Sequence, residues 1–177
     1  MAQKNDKNAT AEPAAKPGVV CEIPIRYRDL DTMGHVNNAL YLTYFEQARI
    51  DYLHGLARDL GLEVGSPGTS PEGVPFGPLE GAEFVIAEAN VRYRAAAKLG
   101  DRLRCVTRIP KVTRKTFVFE YELRSGDDLA QSILIAEGST VQVFFDPATG
   151  RSRGRPEWFA PAVATLEEKP EAAMKEV

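Results

Sequence analysis

Two carboxylates, an imidazole and a pair of amides crowd into one turn of the stretch Arg26–Leu53, RYRDLDTMGHVNNALYLTYFEQARIDYL. They are Asp29, Asp31, His35, Asn37 and Asn38, and His35 is the first of the chain's two histidines. The residues after them read as a helix, so this chemistry stands at a helix entrance. A short side-chain oxygen such as that of Asn37 or Asn38 accepts a bond from an orphan N–H of the first turn. The same N–H groups, with the helix dipole, stabilise negative charge developing on a carbonyl oxygen. A carboxylate a few residues upstream can then act on that carbonyl as base or nucleophile.

The elements that must position this turn follow from periodicity. Val19 to Tyr27 reads as a strand with Cys21, Ile23 and Ile25 on one face; Pro24 has no N–H to give and marks an edge or bulge. Ala39 to about Leu60 reads as a helix, because Tyr41, Tyr44, Phe45, Ala48, Tyr52 and Leu56 recur at three and four residues. Leu42, Ile50 and Leu53 widen that stripe, as expected of a helix covered on most sides. Gly61 is the expected stop, and Gly55, inside the pattern at a cost of ~1 kcal/mol, marks an earlier end or bend. Residues 61–81 are rich in Gly, Pro and Ser and read as a long loop, either functional or an ordinary insertion. Alternating strands follow: Val85 to Tyr93, Leu103 to Ile109, Phe117 to Leu123, and Ile133 to Phe145 with an interruption near Gly138. The joins at 98–101, 111–115, 124–128 and 146–150 have turn chemistry. One strand, one long helix and a four-stranded meander specify an α+β fold, an antiparallel sheet wrapped around a central helix.

Composition narrows the remaining choices. The 177 residues, 44% hydrophobic and 27% charged, suit one domain with a single core. Residues 1–18 have little to bury and read as a disordered tail, 19–160 as the domain, and 161–177 as a tail that is a frayed helix or disordered. A net charge of −3 argues against general nucleic-acid binding. No apolar run approaches a membrane span, and the first residues lack the apolar core of a secretory signal. Cys21 and Cys105 lack metal or redox spacing and read as reduced thiols of a cytoplasmic protein. His35 and His54 lack ligand spacing too, so no metal site is expected.

The element order, with Asp31, Gly34, His35, Val36, Asn37, Asn38 and Tyr41, then Tyr44-Phe45-Glu46 and Arg49, resembles the hotdog-fold acyl-CoA thioesterases of the 4-hydroxybenzoyl-CoA thioesterase-like group. Val91-Arg92-Tyr93, Leu99-Gly100-Asp101 with Leu103, and Thr113 to Phe117 extend the resemblance, which spans about Val19 to Trp158. It implies that Asp31 attacks a thioester carbonyl or activates water to do so, and that a backbone N–H near Asn38 polarises the carbonyl oxygen. It implies no metal or prosthetic group. It puts the coenzyme A phosphates near basic turns, here Arg114 and Lys115. It also implies active sites between paired subunits, hence a homodimer or homotetramer. The segment is similar as well to plant-type acyl-carrier-protein thioesterases, which have an Asn where this chain has Met33. That difference speaks against their mechanism.

Plainer roles compete. Asp31 suits a turn acid bonded to backbone N–H groups, and Asp29 a structural acid paired with Arg26 or Arg28. His35 either orients substrate or water or packs at the turn. Tyr41, Tyr44 and Phe45 read as core, with Tyr41 lining the acyl pocket. Glu46 and Arg49 pair along the helix or with the sheet. Arg114 and Lys115 also suit a solvated turn, and Arg151, Arg153 and Arg155 form a second basic cluster. The expected activity is acyl-CoA hydrolysis without a cofactor; the alternatives are an acyl-carrier-protein thioesterase and a non-catalytic acyl-CoA-binding protein.

Overall fold

The computed structural model describes residues 18–61, 79 and 81–167. The expected N-terminal tail and most of the expected loop at 61–81 lie outside the described residues. The elements run β1 (Val19–Ile23), a 3-10 turn (Tyr27–Asp29), α1 (Leu40–Asp59), β2 (Phe84–Tyr93), β3 (Leu103–Val112), β4 (Thr116–Ser125), β5 (Ile133–Asp146), β6 (Arg151–Ser152) and α2 (Phe159–Leu166). A second 3-10 turn, Leu129–Gln131, precedes β5. All strand pairs are antiparallel, in the order β1-β3-β4-β5-β2, with the short β6 against the end of β5. β1 ends at Ile23, one residue before Pro24, and forms one edge of the sheet.

The sheet curls over α1. Leu103, Cys105, Thr107 and Ile109 of β3, and Phe117, Phe119, Tyr121 and Leu123 of β4, are all buried. Phe45 stacks on Tyr121 at 4.6 Å between ring centres, and Tyr52 meets Phe119 edge-on at 5.2 Å. Arg49 is buried too; its guanidinium reaches Glu46 and the Tyr121 hydroxyl, each at 3.5 Å, so it pairs both along the helix and with the sheet. Gly55 does not end the helix, which runs on to Asp59, and Gly61 follows its end in the left-handed region at φ +67°.

Three expectations are corrected. β5 is continuous through Gly138, where a Cβ would stand 2.5 Å from the Phe45 ring and 2.6 Å from the Asn90 carbonyl oxygen. The glycine is there because the helix comes close, not because the strand breaks. β1 stops short of Tyr27, because Pro24 ends the ladder and a 3-10 turn follows. Of the two alternatives for the chain past 160 the helix is the one seen, packed rather than frayed, and residues 168–177 lie outside the described residues. α2 buries Phe159, Ala160, Ala162, Val163 and Ala164, and the buried Glu167 carboxylate at its end accepts bonds from the Tyr52 hydroxyl and the Ile109 N–H. That N–H lies where the β3–β4 register shifts, between Arg108 and Lys111.

Candidate active site

The polar turn is tied in three layers. Asn37 N–H donates to the Asp29 carbonyl at 2.9 Å, Asp31 N–H to the His35 carbonyl at 2.7 Å, and Val36 N–H to the Ala97 carbonyl at 2.9 Å. The chain thus doubles back, bringing Asp31 and the residues before α1 into one knot, and bridges join Leu30 to Val36 and His35 to Lys98.

The two acids of the knot have different environments. Asp29 is 2% exposed, and its Oδ2 accepts bonds from Arg26 N–H (2.9 Å), Arg26 Nε (3.3 Å) and the Tyr44 hydroxyl (3.1 Å). Burial pushes its carboxyl up, but the bonds from Arg26 and Tyr44 outweigh that and leave it below the ordinary value. Burial and the same contact push the Tyr44 hydroxyl well up. Asp29 is therefore structural, paired with Arg26. Asp31 is half-buried, and its Oδ1 accepts two backbone bonds, from Met33 N–H at 2.8 Å and His35 N–H at 3.1 Å. Among the described residues nothing takes its Oδ2. One oxygen fixes the carboxylate's direction and the other has no partner among the described residues.

The helix entrance follows directly. Asn37, two residues ahead of the N-cap Ala39, ties the entrance by accepting Ala39 N–H on its side-chain Oδ1 at 3.0 Å and Leu40 N–H on its carbonyl at 3.0 Å. Asn38 is exposed, and no acceptor takes its N–H among the described residues. A free carboxylate oxygen and a free N–H at the positive end of a buried helix suit addition to a carbonyl.

A family model for the thioesterase-like superfamily matches residues 25–163, which include the whole turn, the helix and the sheet from β2 onward. The chain belongs to the thioesterase-like superfamily. Among curated superfamily proteins it is similar to the acyl-CoA thioesterase YbgC of Haemophilus influenzae, 33% identical over 124 residues, 68% of this chain and 76% of that protein. It is 30% identical over 95 residues to the long-chain acyl-CoA thioesterase FadM of Escherichia coli, 54% of this chain and 61% of that one. A solved thioesterase from Thermus thermophilus, complexed with coenzyme A and Zn, superposes with a TM-score of 0.67 at 29% identity, covering 87% of this chain and 97% of that one. With these thioesterases the fold is the hotdog expected from the motif.

The residues singled out by sequence fall into two groups in this superfamily member. Asp31, His35, Asn38 and Tyr41 share one end of the sheet. His35 is half-buried beside Lys98, and Tyr41 is buried, edge-on to Tyr93 at 5.0 Å. Burial holds the Tyr41 hydroxyl above its ordinary range. Arg114 and Lys115 stand at the opposite end, on the β3–β4 turn that Thr113 folds by accepting Lys115 N–H (3.2 Å) and Thr116 N–H (2.9 Å) on its Oγ1. Strands of ten residues separate the two ends, roughly 30 Å at ~3.3 Å per residue, so within one chain the basic turn does not meet Asp31. β6 instead brings the second basic cluster to the first: Arg155 N–H donates to the Arg114 carbonyl at 2.8 Å, and Lys115 Nζ lies 3.4 Å from Ser152 Oγ. Arg153 pairs with Glu83 at 3.0 Å. Among the described residues no three His, Cys, Asp or Glu side chains gather as a metal site.

Sequence reading did not connect Tyr93 with the polar turn. Its hydroxyl donates to the Asn38 carbonyl at 3.0 Å across 55 residues of chain. Strand alternation assigned it to the apolar row of β2, and nothing local marks a tyrosine for a distant turn.

Proposed function

We propose that the chain hydrolyses acyl-CoA thioesters in the cytoplasm, giving a carboxylate and coenzyme A, through a single domain over residues 19–160 with α2 packed onto it. The observation that carries this reading is the Asp31 carboxylate, aimed through Oδ1 and open at Oδ2, on the same folded-back turn as the free Asn38 N–H. The acyl carbonyl oxygen accepts the Asn38 N–H. Asp31 then takes a proton from a water that adds to the carbonyl, or adds itself and leaves a mixed anhydride for water to open. In either route the carbon–sulfur bond breaks and the thiolate leaves, a leaving group good enough to need no metal. His35 orients water or substrate, and Tyr41 backs the acyl pocket.

The phosphates of coenzyme A are assigned to Arg114 and Lys115 of a second subunit. Among the described residues β2 is paired on one side only, with Val85, Ile86 and Tyr93 exposed, the kind of edge another strand covers. Antiparallel pairing of two copies of β2 turns the Phe84 end of one toward the Tyr93 end of the other. The partner's basic turn then swings toward this chain's catalytic turn, in a homodimer or a pair of them.

Asp31→Asn tests the chemistry. The amide oxygen still accepts the Met33 and His35 N–H groups, so the turn is kept while the base or nucleophile is lost. Thiol release from a panel of acyl-CoAs should fall by about 100-fold or more. Unchanged turnover removes Asp31 from the mechanism.

A further inference from the structure

We infer that Tyr93 is a positioning residue for the oxyanion donor, holding the Asn38 peptide from the sheet; this rests on the hydrolase reading above. Asn38 lies two residues ahead of the assigned start of α1 at Leu40, so the helix ladder does not hold its peptide planes. Two of its restraints belong to the turn itself, Leu40 N–H on the Asn37 carbonyl and Ala39 N–H on the Asn37 side chain, both at 3.0 Å. Among the described residues, the third is the only one that comes from the sheet: the Tyr93 hydroxyl on the Asn38 carbonyl, 3.0 Å away.

That hydroxyl is well anchored for one on a half-exposed ring. The ring meets Tyr41 edge-on at 5.0 Å and 84°, and Tyr41 is itself buried against Tyr44. The backbone just beyond Tyr93 is clamped, because Arg94 and Ala95 both donate to the Ile135 carbonyl, at 2.8 and 3.1 Å. A rigid strand end therefore presents a donor to the carbonyl of the residue whose N–H faces substrate. Fixing that carbonyl fixes ψ of Asn38, and the Asn37 bonds fix the preceding peptide, so the N–H direction is set from both sides. Phenylalanine could pack in the same place but could not donate.

The test compares Tyr93→Phe with the unaltered protein on the best acyl-CoA of the panel. Misplacing a catalytic group by about 1 Å costs up to about 100-fold, and one lost support of several should cost about five- to tenfold in kcat with KM kept within about twofold. The melting temperature should stay put, and the Ala39 amide, which shares a peptide with the Asn38 carbonyl and is bonded to Asn37 Oδ1, should exchange faster with deuterium. An unchanged kcat overturns the inference. A raised KM with kcat kept also overturns it, by making the hydroxyl a substrate contact. So does a Tyr93→Leu protein that loses kcat while Tyr93→Phe does not, because ring packing would then be the cause. If the unaltered protein hydrolyses no acyl-CoA, the hydrolase reading fails by itself. Amide exchange at Ala39 still reads the support then, and no change on Tyr93→Phe overturns it.

Discussion

In β4, Phe117, Phe119, Tyr121 and Leu123 point at the helix and solvent reaches none of them beyond 1%; in β2, also ten residues long, Val85, Ile86 and Tyr93 stand 44%, 47% and 50% exposed. Both strands alternate apolar with polar side chains. β4 lies inside the sheet, with β3 on one side and β5 on the other, under α1. β2 has β5 on one side and nothing on the other among the described residues, and its pairing with β5 shifts register between Ile86 and Glu88. Alternation therefore reports that a strand exists and which residues share a face. Whether that face is covered depends on strand order. The two carboxylates of the polar turn repeat the contrast in miniature: Asp29 is enclosed and triply bonded, while Asp31 keeps one oxygen open among the described residues.

The largest effect should come from emptying the enclosed side. Phe119→Ala removes a ring packed against Tyr52, Phe117 and Tyr121, and should cost about 3–5 kcal/mol in a urea or guanidinium titration. A much smaller loss would mean that β4 is covered less tightly than described. The Asp29 bonds come next. Its folded-state pKa lies below the unfolded value, near 3.9, so the carboxylate stabilises the fold above that pH, and the stabilisation fades as pH falls through the folded value. Asp29→Asn should cost about 2 kcal/mol at neutral pH and flatten the acid limb of stability against pH. An equally steep acid limb in the variant would assign it to other groups. The smallest change in fold stability should come on the open side. Ile86→Lys should alter the stability of the single chain by about 0.5 kcal/mol or less, yet convert the assembly to monomers in sedimentation velocity. A variant that stays assembled moves the subunit contact away from β2.

The same contrast explains what could be read in advance. Strands β3 and β4 were legible because each has one covered face and clear turns at both ends. The polar turn was legible because Asp31, Asn37 and Asn38 act within a few residues of one another, and capping chemistry is local. Three features were not. Gly138 reads as a break in a strand or as room for a neighbour, and the Phe45 ring above it decides between the two. α2 was hidden because the Glu- and Lys-rich residues beyond 166 dominate the tail's composition, while the short apolar run before them carries the packing. The separation of Arg114 and Lys115 from Asp31, like the reach of Tyr93 to Asn38, follows from strand order, which no single segment contains.

The carboxylate of Glu167 supplies the Ile109 amide with an acceptor where the register shifts, and also takes the hydroxyl of a core tyrosine on α1. The last described turn of the chain is thus a clasp joining helix and sheet. A reporter or affinity handle can follow it, but a truncation at the apparent domain limit near 160 would unfasten the core from behind, at the end of the sheet farthest from Asp31.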